Sequence, residues 1–140
     1  TGVIFVTRES KDSRRAIREE ISKLFKLGKS VAIFPEGTVN VLPLTGTFYP
    51  GSFEIAAEAG IPVVPIALDY ADTGLYWQSD ESLLSHFLNA FSRKNINCFI
   101  HFCEPIFAND PLLLLEQTKT AIDRKLVNYR ADKSTIISEK

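Results

Sequence analysis

Val31-Ala32-Ile33-Phe34-Pro35-Glu36-Gly37-Thr38 is the stretch on which the fold turns. Four apolar residues, two of them β-branched, run into a proline, a carboxylate, a glycine and a hydroxyl, the pattern of a buried strand emptying into a loop. Pro35 has no N–H to give to a ladder and stops the strand. Gly37 permits a tight turn and a close approach of its amide to a ligand, while Glu36 and Thr38 bring an acceptor and a hydroxyl to the same spot. In a parallel α/β sheet, ligands bind beyond the carboxyl ends of the strands, so Glu36, Gly37 and Thr38 are the first candidates for a binding site. A solvated turn is the plainer alternative.

Upstream, Gly2-Val3-Ile4-Phe5-Val6-Thr7-Arg8 reads as a second apolar strand ending in a cation. If the two strands are parallel neighbours, Arg8 emerges at the same sheet edge as Glu36. The crossover such a pair requires is a helix capped by Asp12 or Ser13, with Ile17, Ile21, Leu24 and Phe25 on one stripe and a stop at Gly28. Its other face carries Arg14, Arg15, Arg18, Glu19, Glu20, Lys23 and Lys26, which is a solvated face or, less simply, a surface for acidic lipid head groups.

Downstream, residues 39–50 form a connection rich in apolar side chains (Val39, Val41, Leu42, Leu44, Phe48, Tyr49), which calls for a cover. The candidates are another part of the protein, an acyl pocket or a membrane. Ser52 is placed to cap a short helix over 53–59 that Gly60 closes. Ile61 to Leu68 reads as a further strand, bent or at an edge because of Pro65. Asp80 opens a helix bearing Leu83, Leu84, Phe87, Leu88 and Phe91, a strand follows over 96–103, and Asp110-Pro111 opens a last helix. The alternation of strands and helices predicts an α/β sandwich whose sheet is mostly parallel.

With 140 residues the chain has room for one domain with a true core. A net charge of −1 gives no overall attraction to nucleic acid, so any basic patch must be local. Cys98 and Cys103 lie an odd number of positions apart in an apparent strand, on opposite faces, which argues against a disulfide or metal pair and for two buried thiols in a reducing compartment. Neither Gly-x-Gly-x-x-Gly nor Gly-x-x-x-x-Gly-Lys occurs, which leaves a nucleotide-binding protein a remote reading.

Taken in order, Gly2 to Arg8, Phe34-Pro35-Glu36-Gly37-Thr38 and Ile61-Pro62-Val63-Val64-Pro65-Ile66 resemble three sequence blocks of the glycerophospholipid acyltransferase family, whose best-known members are 1-acyl-glycerol-3-phosphate acyltransferases. The resemblance implies an α/β sandwich of the glycerolipid acyltransferase type, with residues 1–130 the carboxyl-terminal part of one acyltransferase domain and 131–140 a frayed tail. It implies transfer of an acyl group to the hydroxyl of a lysophospholipid-type acceptor in phospholipid biosynthesis, at the cytoplasmic face of a membrane. The acyl donor is acyl-CoA or acyl carrier protein, a substrate rather than a cofactor; no metal and no nucleic acid are involved.

In that family Arg8 would contact the acceptor's phosphate, Glu36, Gly37 and Thr38 would hold its glycerol part, and Pro65 would shape the pocket. The family's catalytic His-x-x-x-x-Asp block is missing: His86 is followed five positions on by Phe91, and His101 by Ile106. The block is expected upstream of Thr1, which leaves this chain inactive by itself and prone to self-association through an uncovered sheet edge and loop.

Val39 stands where the family usually has arginine and Tyr49 where lysine is common, and no Lys or Arg occurs from Val31 to Ser92. A lyso-aminolipid acceptor without phosphate is therefore one alternative. A non-catalytic module that binds lipid head groups is another.

Overall fold

The computed structural model describes residues 11–40, 42–77 and 82–138, with side chains described for 15–40, 42–77 and 82–132. Four helices and two strands follow one another: α1 (Lys11–Lys26), α2 (Gly51–Ala59), β1 (Ile66–Tyr70), α3 (Leu83–Ser92), β2 (Cys98–Phe102) and α4 (Pro111–Ser138), with a short 3-10 turn over Thr73–Leu75. The mixed α/β class is as expected.

The sheet of the described residues differs from expectation. It has two strands, paired antiparallel with Ile66 opposite Phe102 and Tyr70 opposite Cys98. Val31 to Phe34 joins no ladder among the described residues, and Phe34 is 78% exposed. An apolar run becomes a strand only when a neighbour satisfies its N–H and C=O groups. The stretch Gly2 to Arg8, its expected neighbour, lies outside the described residues.

Pro65 stands at the margin of the ladder, just before Ile66. Beyond the ladder, Val63 and Ile106 form an isolated bridge, exchanging hydrogen bonds of 2.8 and 2.7 Å. From Val63 to the Ile66–Phe102 pair is three residues on one strand and four on the other, so the side carrying Pro105 holds one residue more. That is a bulge, the usual accommodation for proline at a sheet margin. Pro65 itself is fully buried, and its carbonyl accepts from the Cys103 amide at 2.9 Å.

The core forms where α4 lies across the inner face of β1 and against α2: Phe48, Phe53, Ala56, Ala67, Leu114, Ile122 and Leu126 are buried together. Leu114, Thr118, Ile122 and Leu126 recur every four residues, one stripe of α4. Ala67, fully buried, lets the helix approach the strand closely. Phe99 of β2 stacks on Tyr129 with ring centroids 4.2 Å apart. Leu114 is also fully buried, which is worth about 1.5–3 kcal/mol for such a side chain.

Helix ends follow local chemistry in part. Asp110 caps α4 as expected, its Oδ1 accepting from the amides of Leu112 and Leu113 at 2.8 and 2.9 Å. The chain turns out of α1 through Lys29 N–H to Leu24 C=O and Gly28 N–H to Phe25 C=O, both 2.9 Å. Ser52 does not cap α2, which begins one residue earlier behind Pro50 with no side-chain cap. Asp12 and Ser13 fall inside α1 rather than at its cap, and Asp80 lies outside the described residues. α4 runs on to Ser138, past Ala131 where the sequence reading placed fraying.

Among the described residues no helix is long and apolar enough to cross a membrane. The basic face of α1 is partly neutralised, because Arg18 turns onto α2 and meets Glu54 at 2.5 Å and Glu58 at 2.8 Å. The thiols are not both buried: Cys98 is exposed on the open face of β2 and Cys103 is half-buried.

Candidate functional site: the Glu36 loop and its supports

Phe34 to Gly37 closes a turn in which the Gly37 amide donates to the Phe34 carbonyl at 3.1 Å. Gly37 has φ of 63°, a left-handed conformation that glycine adopts without a steric cost. The turn reverses the chain and sends Glu36 back across its own loop, where Oε2 accepts from the Gly46 amide at 2.8 Å. A Cβ at position 46 would lie 2.8 Å from that oxygen, so any larger residue there would push the Glu36 carboxylate aside. The Tyr49 amide donates to the Pro35 carbonyl at 2.9 Å and ties the far end of the loop to the motif. Thr38 stays exposed, its hydroxyl in a long 3.5 Å contact with the Val39 carbonyl.

Glu36 and Gly37 therefore lie in one turn and Thr38 follows it directly. Pro65 belongs to the bulge at the start of β1 instead, and Arg8 lies outside the described residues. Of the apolar side chains in the loop, Phe48 enters the core, whereas Val39, Leu42, Leu44 and Tyr49 remain about half exposed.

The loop takes its outer support from α4. Lys119 Nζ donates to the Thr45 carbonyl at 2.5 Å, the Thr45 hydroxyl at 2.8 Å and the Gly46 carbonyl at 2.8 Å, and lies 5.4 Å from the centre of the Phe48 ring. Asp123 Oδ1 accepts from the Thr45 amide at 2.8 Å and from its hydroxyl at 2.7 Å. About two turns further along, Arg130 donates to the carbonyls of Leu42 and Pro43 and, through Nε at 2.7 Å, to Asp69 near the end of β1. An open groove of about 670 Å³ runs between residues 45–48 and α4, with Leu115, Glu116 and Thr120 on its helix side.

Asp69 is the buried ion of this region, 3% exposed. Burial pushes its carboxyl up. Hydrogen bonds from Arg130, from the Tyr76 hydroxyl and from the Tyr70 amide, together with the charge of Arg130, outweigh that and hold it below its ordinary value. The same burial and the neighbouring carboxylate raise the Tyr76 phenol.

Sequence reading missed Lys119, Asp123 and Arg130. A signal exists: at spacings of four and seven they share one face of a helix. His86 is buried on α3, and His101 stacks on Phe99 with centroids 6.2 Å apart.

Comparison with known proteins agrees with the motif order. A family model described as Acyltransferase matches residues 1–69. A lyso-ornithine lipid O-acyltransferase of Pseudomonas aeruginosa is 30% identical across 96% of this chain and 54% of its own length. The 1-acyl-sn-glycerol-3-phosphate acyltransferase BAT2, chloroplastic, of Brassica napus is 33% identical across 86% of this chain and 32% of its own. A 1-acyl-sn-glycerol-3-phosphate acyltransferase of Borreliella burgdorferi is 40% identical across 48% of this chain and 27% of its own. The chain thus spans about half the length of the first of these relatives and a third or less of the others. No solved structure matches. With three motif blocks in the expected order, a turn built on Gly37 and relatives of this kind across nearly the whole chain, the chain belongs to the glycerophospholipid acyltransferase family.

Proposed function

We propose that the protein containing this chain transfers an acyl group from a thioester of coenzyme A or acyl carrier protein to the free hydroxyl of a lyso-lipid at a cytoplasmic membrane surface, in lipid biosynthesis. The observation that carries the reading is the Glu36 turn, which presents a carboxylate, a left-handed glycine and an exposed hydroxyl on three successive residues. Glu36, Gly37 and Thr38 hold the polar end of the acceptor, Arg8 meets its charge, and Pro65 shapes the pocket floor. The general base is a histidine oriented by an aspartate five positions on. Neither histidine of this chain has that partner, so the reading assigns the base to a block outside these 140 residues. The parallel sheet belongs to the same reading, with Gly2 to Arg8 lying beside Val31 to Phe34.

Acyl transfer itself is an attack of the deprotonated acceptor hydroxyl on the thioester carbonyl. The C–O bond forms as the C–S bond breaks, and the proton passes through the histidine to the leaving thiol.

A second reading concerns the acceptor's charge. Lys119 and Arg130, the cations that reach the loop among its described contacts, are spent on backbone carbonyls and on Asp69. Such a loop favours an acceptor that carries no phosphate, and one relative is named a lyso-ornithine lipid O-acyltransferase.

The test uses the full-length protein with acyl-CoA and acyl carrier protein thioesters, following thiol release with a 1-acyl-glycerol-3-phosphate or a lyso-ornithine lipid. Turnover with either acceptor sustains the reading, the preferred acceptor decides the second one, and head-group binding without turnover favours a non-catalytic module. Glu36→Ala lowers transfer roughly 10- to 150-fold if the acceptor depends on this carboxylate, since a hydrogen bond to a charged group is worth about 1.5–3 kcal/mol.

A further inference from the structure

The Glu36 carboxylate is aimed by a relay that begins on α4. Asp123 Oδ1 takes both the amide and the hydroxyl of Thr45, and Lys119 Nζ takes the carbonyls of Thr45 and Gly46 and the Thr45 hydroxyl. The Thr45 hydroxyl thus donates to the acid and accepts from the base, so its orientation is fixed from both sides. With residues 45 and 46 held on both their carbonyls, the Gly46 amide is left with one direction, and there Glu36 Oε2 accepts it. Lys119 and Asp123 are 3.6 Å apart, four residues apart on one helix face, and two-thirds or more of each side chain is shielded from water.

Their mutual i,i+4 contact adds only a little to the stability of α4 and does not account for the bonds to the loop. A single i,i+4 pair supports a helix without reaching 73 or more residues back along the chain. We infer that Lys119 and Asp123 are positioning residues for the acceptor site, setting the conformation of residues 45–46 and through it the aim of Glu36. The inference rests on the acyl-acceptor role proposed for Glu36 and adds to it the means by which that role is tuned.

The experiment has two arms on the full-length protein. In the first, hydrogen exchange is followed at the amides of Thr45 and Gly46. Asp123→Ala should speed exchange at both at least tenfold, whereas Asp123→Asn, which keeps Oδ1 as an acceptor, should restore most of the protection. Unchanged exchange in Asp123→Ala overturns the relay. In the second, steady-state transfer is measured. Lys119→Met and Asp123→Ala should each raise the acceptor KM about tenfold while the thioester KM stays within twofold, and Asp123→Asn should recover most of the loss. A fall in kcat with the acceptor KM unchanged, or equal rises in both KM values, overturns the assignment to the acceptor site. If the unaltered protein transfers no acyl group, the function reading fails by itself, and the exchange arm alone decides the relay.

Discussion

Replacing Arg130 with methionine removes one partner from a carboxylate that has almost no access to water. Asp69 is 3% exposed and holds three donors: Arg130 Nε at 2.7 Å, the Tyr70 amide at 2.8 Å and the Tyr76 hydroxyl. Stranding one member of a fully buried ion pair costs about 3–5 kcal/mol. Here the Arg130 side chain is 32% exposed, so part of the attraction is screened, and two neutral donors remain on Asp69. The cost falls to about 2–3 kcal/mol. The carbonyls of Leu42 and Pro43, on exposed residues, find water and add little.

Such a loss lowers Tm by roughly 10 °C for a domain of this size. A double-mutant cycle with Asp69→Asn isolates the charge, because asparagine keeps an acceptor for Tyr70 and Tyr76 but needs no cation. Urea denaturation followed by far-UV circular dichroism should give a coupling of about 1.5 kcal/mol or more, the double mutant being less damaged than the two single losses added together. Additivity to within about 0.5 kcal/mol would refute the claim that Arg130 acts as the counter-ion of Asp69.

Because the folded carboxyl of Asp69 titrates below its ordinary value, the native state binds fewer protons than the unfolded chain. The protein should therefore lose stability as pH falls below about 4, and Asp69→Asn should flatten that acid limb; equal slopes in a pH series of urea midpoints would contradict it. Gly46→Ala brings a methyl group 2.8 Å from Glu36 Oε2, a flexible tip that swings away, so acceptor KM should rise several-fold with a stability change under about 1 kcal/mol, read from kinetics and melting of one preparation. Gly37→Ala meets backbone strain at φ 63° and should destabilise by about 1–2 kcal/mol in the same melts. Leu114→Ala, at a fully buried position under the sheet, should lower stability by about 2–5 kcal/mol in urea titrations.

What the residues disclose in advance is what neighbours in sequence decide. Asp110-Pro111 opens α4, and Phe34 to Gly37 reverses the chain, because each needs only contacts within a few residues. Pro65 was legible as a bend or an edge position, and it stands at the margin of the ladder, just before Ile66. Strand pairing was not legible: alternation and β-branching say that 98–102 is extended, but not that Ile66 to Tyr70 lies against it antiparallel. Val31 to Phe34 reads as a strand by composition and lacks a ladder among the described residues, since composition cannot supply the partner. The absence of cations from Val31 to Ser92 was plain, but the remedy was not, because Lys119 and Arg130 return from far along the chain.

That remedy explains why, among the described residues, one helix supplies the outer supports of the loop. Lys119 and Arg130 are eleven residues apart, about 16 Å along a helix at 1.5 Å per residue, and within a fraction of a turn of the same face. A loop pinned at one point can still swivel about it. Pinned at residues 42–43 and again at 45–46 by groups on one rigid rod, it can only move with the rod. The rod is itself fixed, because Leu114, Ile122 and Leu126 are locked in the core against β1 and α2. The orientation of the Glu36 turn is therefore inherited from core packing rather than from the loop's own sequence, which is how a connection so rich in exposed apolar side chains can present a carboxylate in one defined place.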